Sequence, residues 1–292
     1  MTAVQALLLG AVQGLTEFVP VSSTAHLYLT QALLGIRNDE VALSFDVVLH
    51  LGTVLALILA TWRELGGIVS ELFRFLAGRP ARDAEGRALL LPLIVGTIPG
   101  VLAGLLLLRR VESLRTIALI GVCMLVACGY FLLAERIGEK RAGRERGLAD
   151  LNLGDAIWIG LAQAAAGLMA GFSRSGFTIS TGRVRGLARE ESARFSFLLA
   201  LPIILGAGAK ALLDLRRHPA GTIGGGALAA GFVASAAVGY AAVRFLLRYL
   251  RTHTLRPFAI YLGLLGIALL AWSLSRGEPL LAPALVASPF SP

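Results

Sequence analysis

A glutamate, a run of three hydroxyl residues and a histidine interrupt a stretch that is otherwise apolar enough for a bilayer, residues 10–29, GAVQGLTEFVPVSSTAHLYL. Gln13 and Glu17 stand four apart and so share one helical face. Pro20 stops that helix, and Ser22, Ser23 and Thr24 offer hydroxyls where a second helix would start, with His26 in its first turn. A break at membrane depth leaves backbone N–H groups unpaired, which is tolerated where they line a cavity or bind something. An N-terminus rich in free N–H and hydroxyl groups favours an anion.

A second break follows in the other half of the chain, where Ser173, Arg174, Ser175, Gly176 and Thr178 interrupt an apolar run. Arg174, with serines on both sides and glycines beyond them, sits where backbone can approach a ligand closely, and a planar guanidinium suits phosphate oxygens. Apart from the ends of spans, the ionisable residues at membrane depth are Glu17, His26, Asp46, His50, Arg174 and Lys210. Each is a functional hypothesis by default. Glu17 reads either as a structural partner that neutralises Arg174 or as a working carboxylate among hydroxyls. His26 reads as a hydrogen-bonded buried histidine, or as a nucleophile or proton carrier. For Asp46, helix-dipole stabilisation is an adequate structural account beside a functional one, while His50 and Lys210 read as structural.

The elements that hold these residues must lie in a membrane. With 56% hydrophobic and 15% charged residues and a mean hydropathy of +0.76, the chain is far more apolar than a soluble domain of its length. Its net charge of +9 is scattered between apolar spans rather than gathered on one polar domain, which speaks for topology and against nucleic acid. Cys123 and Cys128 share one apolar run at a spacing that suits neither a metal nor a disulfide, and read as core. No basic residue precedes the first apolar run and no small-residue cleavage site follows it, so no cleaved signal peptide is expected.

The expected fold is an all-α polytopic membrane protein built as an inverted repeat, each half a re-entrant helix pair plus three transmembrane helices. Repeat one covers 1–134, with the re-entrant segment at 4–34 and spans at 41–61, 89–108 and 116–134. A charged loop follows the first span, and a cytoplasmic linker occupies 135–154. Repeat two covers 155–276, with a re-entrant segment at 155–190 and spans at 194–213, 223–243 and 257–275; the proline-bearing tail 277–292 is expected to be disordered. At an offset of 150, Gly10, Gln13 and Ser23 meet Gly160, Gln163 and Ser173. Three crossings per half turn the second repeat upside down, so the two breaks enter from opposite faces and meet near mid-depth. The loops after spans one, three and five, with the arm from Arg183 to Arg194, hold 18 Lys or Arg against 7 on the opposite side. That side is therefore expected to be cytoplasmic.

In its motifs the sequence resembles the undecaprenyl-diphosphate phosphatases, also called bacitracin-resistance proteins, over nearly its whole length. Gln13 to Glu17 followed by Pro20 to His26 matches the family's Glu-bearing Pro-Val-Ser-Ser-Thr-x-His signature, and Gly171 to Thr178 its Pro-Gly-x-Ser-Arg-Ser-Gly-x-Thr signature, with Ala170 where the family has proline. The resemblance implies hydrolysis of a C55 polyprenyl diphosphate to its monophosphate at the outer face of the bacterial inner membrane, recycling the cell-wall lipid carrier. It implies Glu17, Ser23, His26 and Arg174 as catalytic residues, and Gln13, Ser22, Thr24, Ser173, Ser175, Gly176 and Thr178 as substrate-binding. It also implies a divalent cation, Mg²⁺ or Ca²⁺, on Glu17 with Gln13 as helper. His26 as nucleophile, and water or Ser23 as the activated group, stay open. Lipid substrate and membrane lipid are the expected partners, with a homodimer left open.

The rival class is transport, because broken segments meeting at mid-depth in an inverted repeat are also the architecture of secondary transporters, and the chain could flip a polyprenyl phosphate. The surplus of Glu, His and hydroxyl groups argues for chemistry instead.

Overall fold

The computed structural model describes residues 1–36, 40–107, 116–217 and 223–277. The tail beyond Gly277, the side chain of Lys210 and residue His218 lie outside the described residues. What is described is helical, with one 3₁₀ turn at Leu148–Asp150 and one isolated backbone bridge, Arg146 to Leu187. In chain order the helices are α1 (Ala3–Phe18), α2 (Ser23–Leu33), α3 (Glu40–Ala60), α4 (Trp62–Leu76), α5 (Ala84–Leu106), α6 (Ile117–Glu139), α7 (Leu153–Leu168), α8 (Arg174–Arg185), α9 (Arg189–Arg217), α10 (Gly225–Tyr249) and α11 (Arg256–Ser275).

Among the described residues, five helices are long and apolar enough to cross a membrane: α5, α6, α9, α10 and α11. Helices α3 and α4 pass the same test only as a pair, bent by 83° at their junction. The protein is a polytopic membrane protein. At 16 residues each, α1 and α7 rise about 24 Å, short of the ~30 Å hydrocarbon core. Both end in a break and a second short helix.

The charged loop expected after the first span is instead largely helical. Thr61 starts α4, whose Leu65, Ile68 and Leu72 face the protein while Arg63 and Phe73 stay outside. Its charge hides an amphipathic period, and lying across the end of α3 it suits a membrane surface. Similarly, α6 continues five residues past 134 because Glu135, expected in water, is fully buried. Both Glu135 oxygens accept from Arg189, at 2.7 and 2.9 Å for Oε2, and Oε1 also accepts from the Leu255 amide at 2.9 Å. One carboxylate thus ties α6 to the starts of α9 and α11.

Small residues let the broken helices approach their neighbours. Gly10 of α1 meets the backbone of Gly231 in α10, and Gly160 of α7 meets that of Gly96 in α5, so closely that a side chain at either position would strike backbone. Ser235 Oγ donates to the Leu49 carbonyl at 2.7 Å, fastening α10 to α3. Phe18, the last residue of α1, packs edge-on against Phe197 of α9, with ring centroids 5.6 Å apart. That contact fixes the depth at which α1 stops.

Candidate active site

The last turn of α1 supplies the carboxylate. Gln13 Nε2 donates to Glu17 Oε2 at 3.1 Å, the contact that their four-residue spacing predicts. Beyond Phe18 the chain turns through Val19 to Ser22, with Val21 N donating to Val19 O at 2.8 Å. Ser22 has φ 72°, the one non-glycine residue at positive φ among the described residues. Such a conformation costs ~1–3 kcal/mol and persists where the surroundings dictate it. Its consequence here is to aim the next residue back at α1: Ser23 Oγ donates to Glu17 Oε2 at 2.7 Å.

The second break supplies the cation. After α7, Gly171 takes φ 98°, and Phe172 N donates to Met169 O at 3.2 Å, so a turn forms although Ala170 replaces the proline. Ser173 then caps α8, its Oγ accepting from Gly176 N at 3.2 Å. Arg174, first in α8, donates from Nη2 to Glu17 Oε1 at 2.7 Å. Its other terminal nitrogen, Nη1, is buried and has no hydrogen-bond partner. The ion pair meets the requirement that buried charges be compensated, and it leaves Nη1 as an unsatisfied donor.

These groups open into a cavity of about 400 Å³ lined by Glu17, Ser23, Thr24 and Arg174. Met169, Phe172 and Ile203 contribute apolar wall. Two residues that the sequence left as structural or undecided also face it, Asp46 and His50 of α3. Asp46 Oδ1 accepts from Gln31 Nε2 at 2.8 Å. The Nδ1 of His50 lies 2.7 Å from the Asp46 carbonyl, so that nitrogen carries the proton, and Nε2 is directed into the cavity 3.9 Å from Glu17 Oε2. Their four-residue spacing within an apolar span was the available signal; which face of α3 meets α1 was not written in it.

The structure brings Gln13, Glu17, Ser23 and Arg174 into one hydrogen-bonded group, with Thr24 at the cavity wall. It does not bring His26 there. His26 Nδ1 lies 2.8 Å from the Ser22 carbonyl and Nε2 lies 2.6 Å from the Tyr261 hydroxyl, with the two rings stacked at 5.7 Å. Ser22 is buried with its hydroxyl unpartnered. Ser173, Ser175 and Thr178 are buried behind Arg174: the two serine hydroxyls meet at 3.2 Å, and Thr178 meets Ser196 at 2.5 Å. Gly176 packs under the ring of Phe131. None of these lines the cavity; from this stretch Ala170, Phe172 and Arg174 do, and only Arg174 brings a polar group.

Three relatives align along nearly the whole chain, each named an undecaprenyl-diphosphatase. The chain is 41% identical to that of Desulforudis audaxviator, over 95% of this chain and 100% of the relative. It is 43% identical to that of Rubrobacter xylanophilus, over 88% and 93%. With that of Anaeromyxobacter dehalogenans the identity is 42%, over 96% and 94%. Over residues 6–268 the sequence fits the pattern of one family, and the chain belongs to it: the bacitracin resistance protein BacA family.

Proposed function

We propose that this protein dephosphorylates undecaprenyl diphosphate to undecaprenyl phosphate, which recycles the cell-wall lipid carrier and confers bacitracin resistance. Its family and the names of its relatives carry the activity. The observation that carries the mechanism is the Glu17 carboxylate held between the Ser23 hydroxyl and the Arg174 guanidinium, 2.7 Å from each.

In this reading the diphosphate enters the cavity and Arg174 turns its unpartnered nitrogen toward the phosphate oxygens. Ser23 Oγ attacks the terminal phosphorus while its proton passes to Glu17. The bond from that phosphorus to the bridging oxygen breaks, and undecaprenyl phosphate leaves with its new charge against Arg174. Water then cleaves the seryl phosphate, releasing inorganic phosphate and restoring the hydroxyl. Asp46 and His50 border the reacting group, and the apolar wall takes the start of the lipid chain.

A Mg²⁺ or Ca²⁺ ion fits this group as a partner shared with substrate. Among the described residues no three His, Cys, Asp or Glu side chains cluster as a metal site, so phosphate oxygens would complete the shell. Glu17 would hold the ion together with Gln13, whose Oε1 is buried without a partner. Such an ion would neutralise charge on the diphosphate.

The inverted repeat belongs to the same proposal. It is supported by reciprocal packing, α1 on α10 and α7 on α5, with α6 against α11 and α3 against α9 as the self-paired elements. The cavity uses the N-terminal half of α3 and the C-terminal half of α9, away from the arginine-rich loops. That placement supports an active site facing outward from the bacterial inner membrane. The deciding experiment is phosphate release from a short-chain polyprenyl diphosphate by the purified protein in detergent, where lipid movement has no meaning. Release is expected; a folded protein that binds the substrate and releases no phosphate would leave flipping as the function.

A further inference from the structure

Helices α3 and α9, which both border the catalytic cavity, also border a second one near their other ends, together with α4 and α10. It has a volume of about 340 Å³ and is lined by Arg194, Arg244, Arg248 and Arg251, with Glu64 and Glu190. Ala60 of α3 borders it ten residues beyond His50, and Arg194 of α9 lies ten residues before Ile204. Ten helical residues rise ~15 Å, so the two cavities are separated by about half a bilayer.

The arginines are not equivalent. Arg251 pairs with Glu190 at 2.8 Å, and Arg194 is held by Glu64 at 3.3 Å, Glu191 at 3.3 Å and Glu85 at 3.5 Å. Both glutamates of the cavity are thereby engaged. Among the described residues Arg244 and Arg248 have no carboxylate partner. With Leu247 they form one stripe at the C-terminal end of α10, continued by Arg251 just beyond it, and both arginines line the same cavity.

Exposed aromatic residues neighbour the lining residues in sequence. Phe245, between the two arginines in sequence, is 53% exposed, and Trp62, at the bend from α3 to α4, is 61% exposed with Arg63 over its ring. Exposed aromatic rings beside arginines mark the level of the lipid headgroups.

We propose that this cavity binds the phosphate of an anionic lipid headgroup, with Arg244 and Arg248 as its ligands, in the leaflet that meets the arginine-rich loops. Two unpaired guanidiniums at headgroup depth offer planar donor pairs to a phosphodiester, and basic pockets between helices on this side of a membrane bind such headgroups. The exposed aromatic neighbours select a lipid over free phosphate, because acyl chains leave the cavity directly into the bilayer.

The test is native mass spectrometry of the purified protein in detergent, with phosphatidylglycerol, phosphatidylcholine or inorganic phosphate added. Phosphatidylglycerol is expected to bind in preference to phosphatidylcholine. The double variant Arg244→Ala, Arg248→Ala should bind it about tenfold or more weakly, as expected for losing charge-assisted hydrogen bonds. The paired Lys variant should keep part of the binding, and in detergent free of phosphatidylglycerol both variants should release phosphate from a short-chain substrate within about twofold of the parent rate, as residues remote from the reacting group should. Unchanged phosphatidylglycerol binding in the double variant would overturn the proposal, as would its displacement by inorganic phosphate at equal concentration. Where the double variant does not fold, Arg248→Gln alone gives the same comparison.

Discussion

Arg174 Nη2 donates to Glu17 Oε1 at 2.7 Å, joining two residues 157 positions apart, each beside a break in an apolar helix. One contact therefore neutralises both charges and fixes the two breaks against each other. Removing one member of such a buried pair leaves the other uncompensated, which typically costs ~3–5 kcal/mol. The pair is at once a structural weld and the centre of the proposed chemistry, so its variants need two readouts.

Glu17→Gln and Arg174→Ala should each lower phosphate release at least ~10²-fold, the usual loss for one electrostatic stabiliser of a developing oxyanion. Arg174→Lys should be poor as well, because an ammonium cannot span carboxylate and phosphate as a fork does. Thermal melts should show the double variant less destabilised than the sum of the two singles, since the contact couples them. Near-parental turnover by a folded Glu17→Gln protein would remove Glu17 from the mechanism.

The two candidate nucleophiles separate by geometry. Ser23 Oγ is 2.7 Å from Glu17 Oε2, whereas His26 is engaged with the Ser22 carbonyl and Tyr261. Ser23→Ala is expected to lose at least ~10²-fold in phosphate release, as the loss of a group acting with a base does. His26→Phe, which preserves stacking on Tyr261, should keep a tenth or more of the rate. The opposite ranking in folded proteins would return the role to His26.

Glu135 gives a stability prediction separate from chemistry. Its carboxylate is fully buried and joins Arg189 and the Leu255 amide. Glu135→Ala should destabilise the protein by ~3–5 kcal/mol, since Arg189 and the amide both lose their acceptor. A lowered melting temperature is the expected outcome, and the change should be recovered in part by Glu135→Asp. An unchanged melt would mean that the starts of α9 and α11 are held by other contacts.

Both breaks were legible in the sequence because Pro20, Gly171 and the hydroxyl runs contradict their apolar surroundings, and a local contradiction is visible without a fold. The four-residue spacing of Gln13 and Glu17 likewise carried their contact. What could not be read was rotation. Asp46 and His50 share a face of α3, but only its packing beside α1 turns that face toward Glu17. Glu135 begins a run of charges that looks solvated, yet Arg189, 54 positions later, buries it. In α4 the dense charge masks an apolar stripe, Leu65, Ile68 and Leu72, that becomes meaningful once it packs on the protein core. His26 sits within a motif of reactive residues, and its partner Tyr261 lies 235 positions away on a helix with no polar signature of its own.

The 18 to 7 distribution of basic residues predicts which side is cytoplasmic, and labelling tests it. After Cys123 and Cys128 are replaced, Ala142→Cys lies in the loop after α6 and Ser275→Cys at the far end of α11. In intact cells an impermeant thiol reagent should modify the cysteine at 275 and spare that at 142. The reverse pattern would place the catalytic cavity on the cytoplasmic side.

Hydrolysis and flipping differ in which leaflet can feed the site. An inverted repeat could in principle expose mid-depth groups to either side by rocking one half against the other. Here the reacting group is concentrated on the first break: Gln13, Glu17 and Ser23 all come from α1 and α2, whereas Arg174 is the one polar side chain among the described residues that the second break brings to the cavity, beside the apolar Met169, Ala170 and Phe172. The buried packing between α1 and α9 includes the edge-on contact of Phe18 with Phe197. Closed packing of this kind favours one entrance. In sealed proteoliposomes of known orientation, substrate in the leaflet facing the side with 7 basic residues should be consumed quickly. Substrate in the other leaflet should survive until the bilayer is permeabilised. Equal consumption from both leaflets, with monophosphate appearing opposite its substrate, would show that the protein carries lipid across as well as cleaving it.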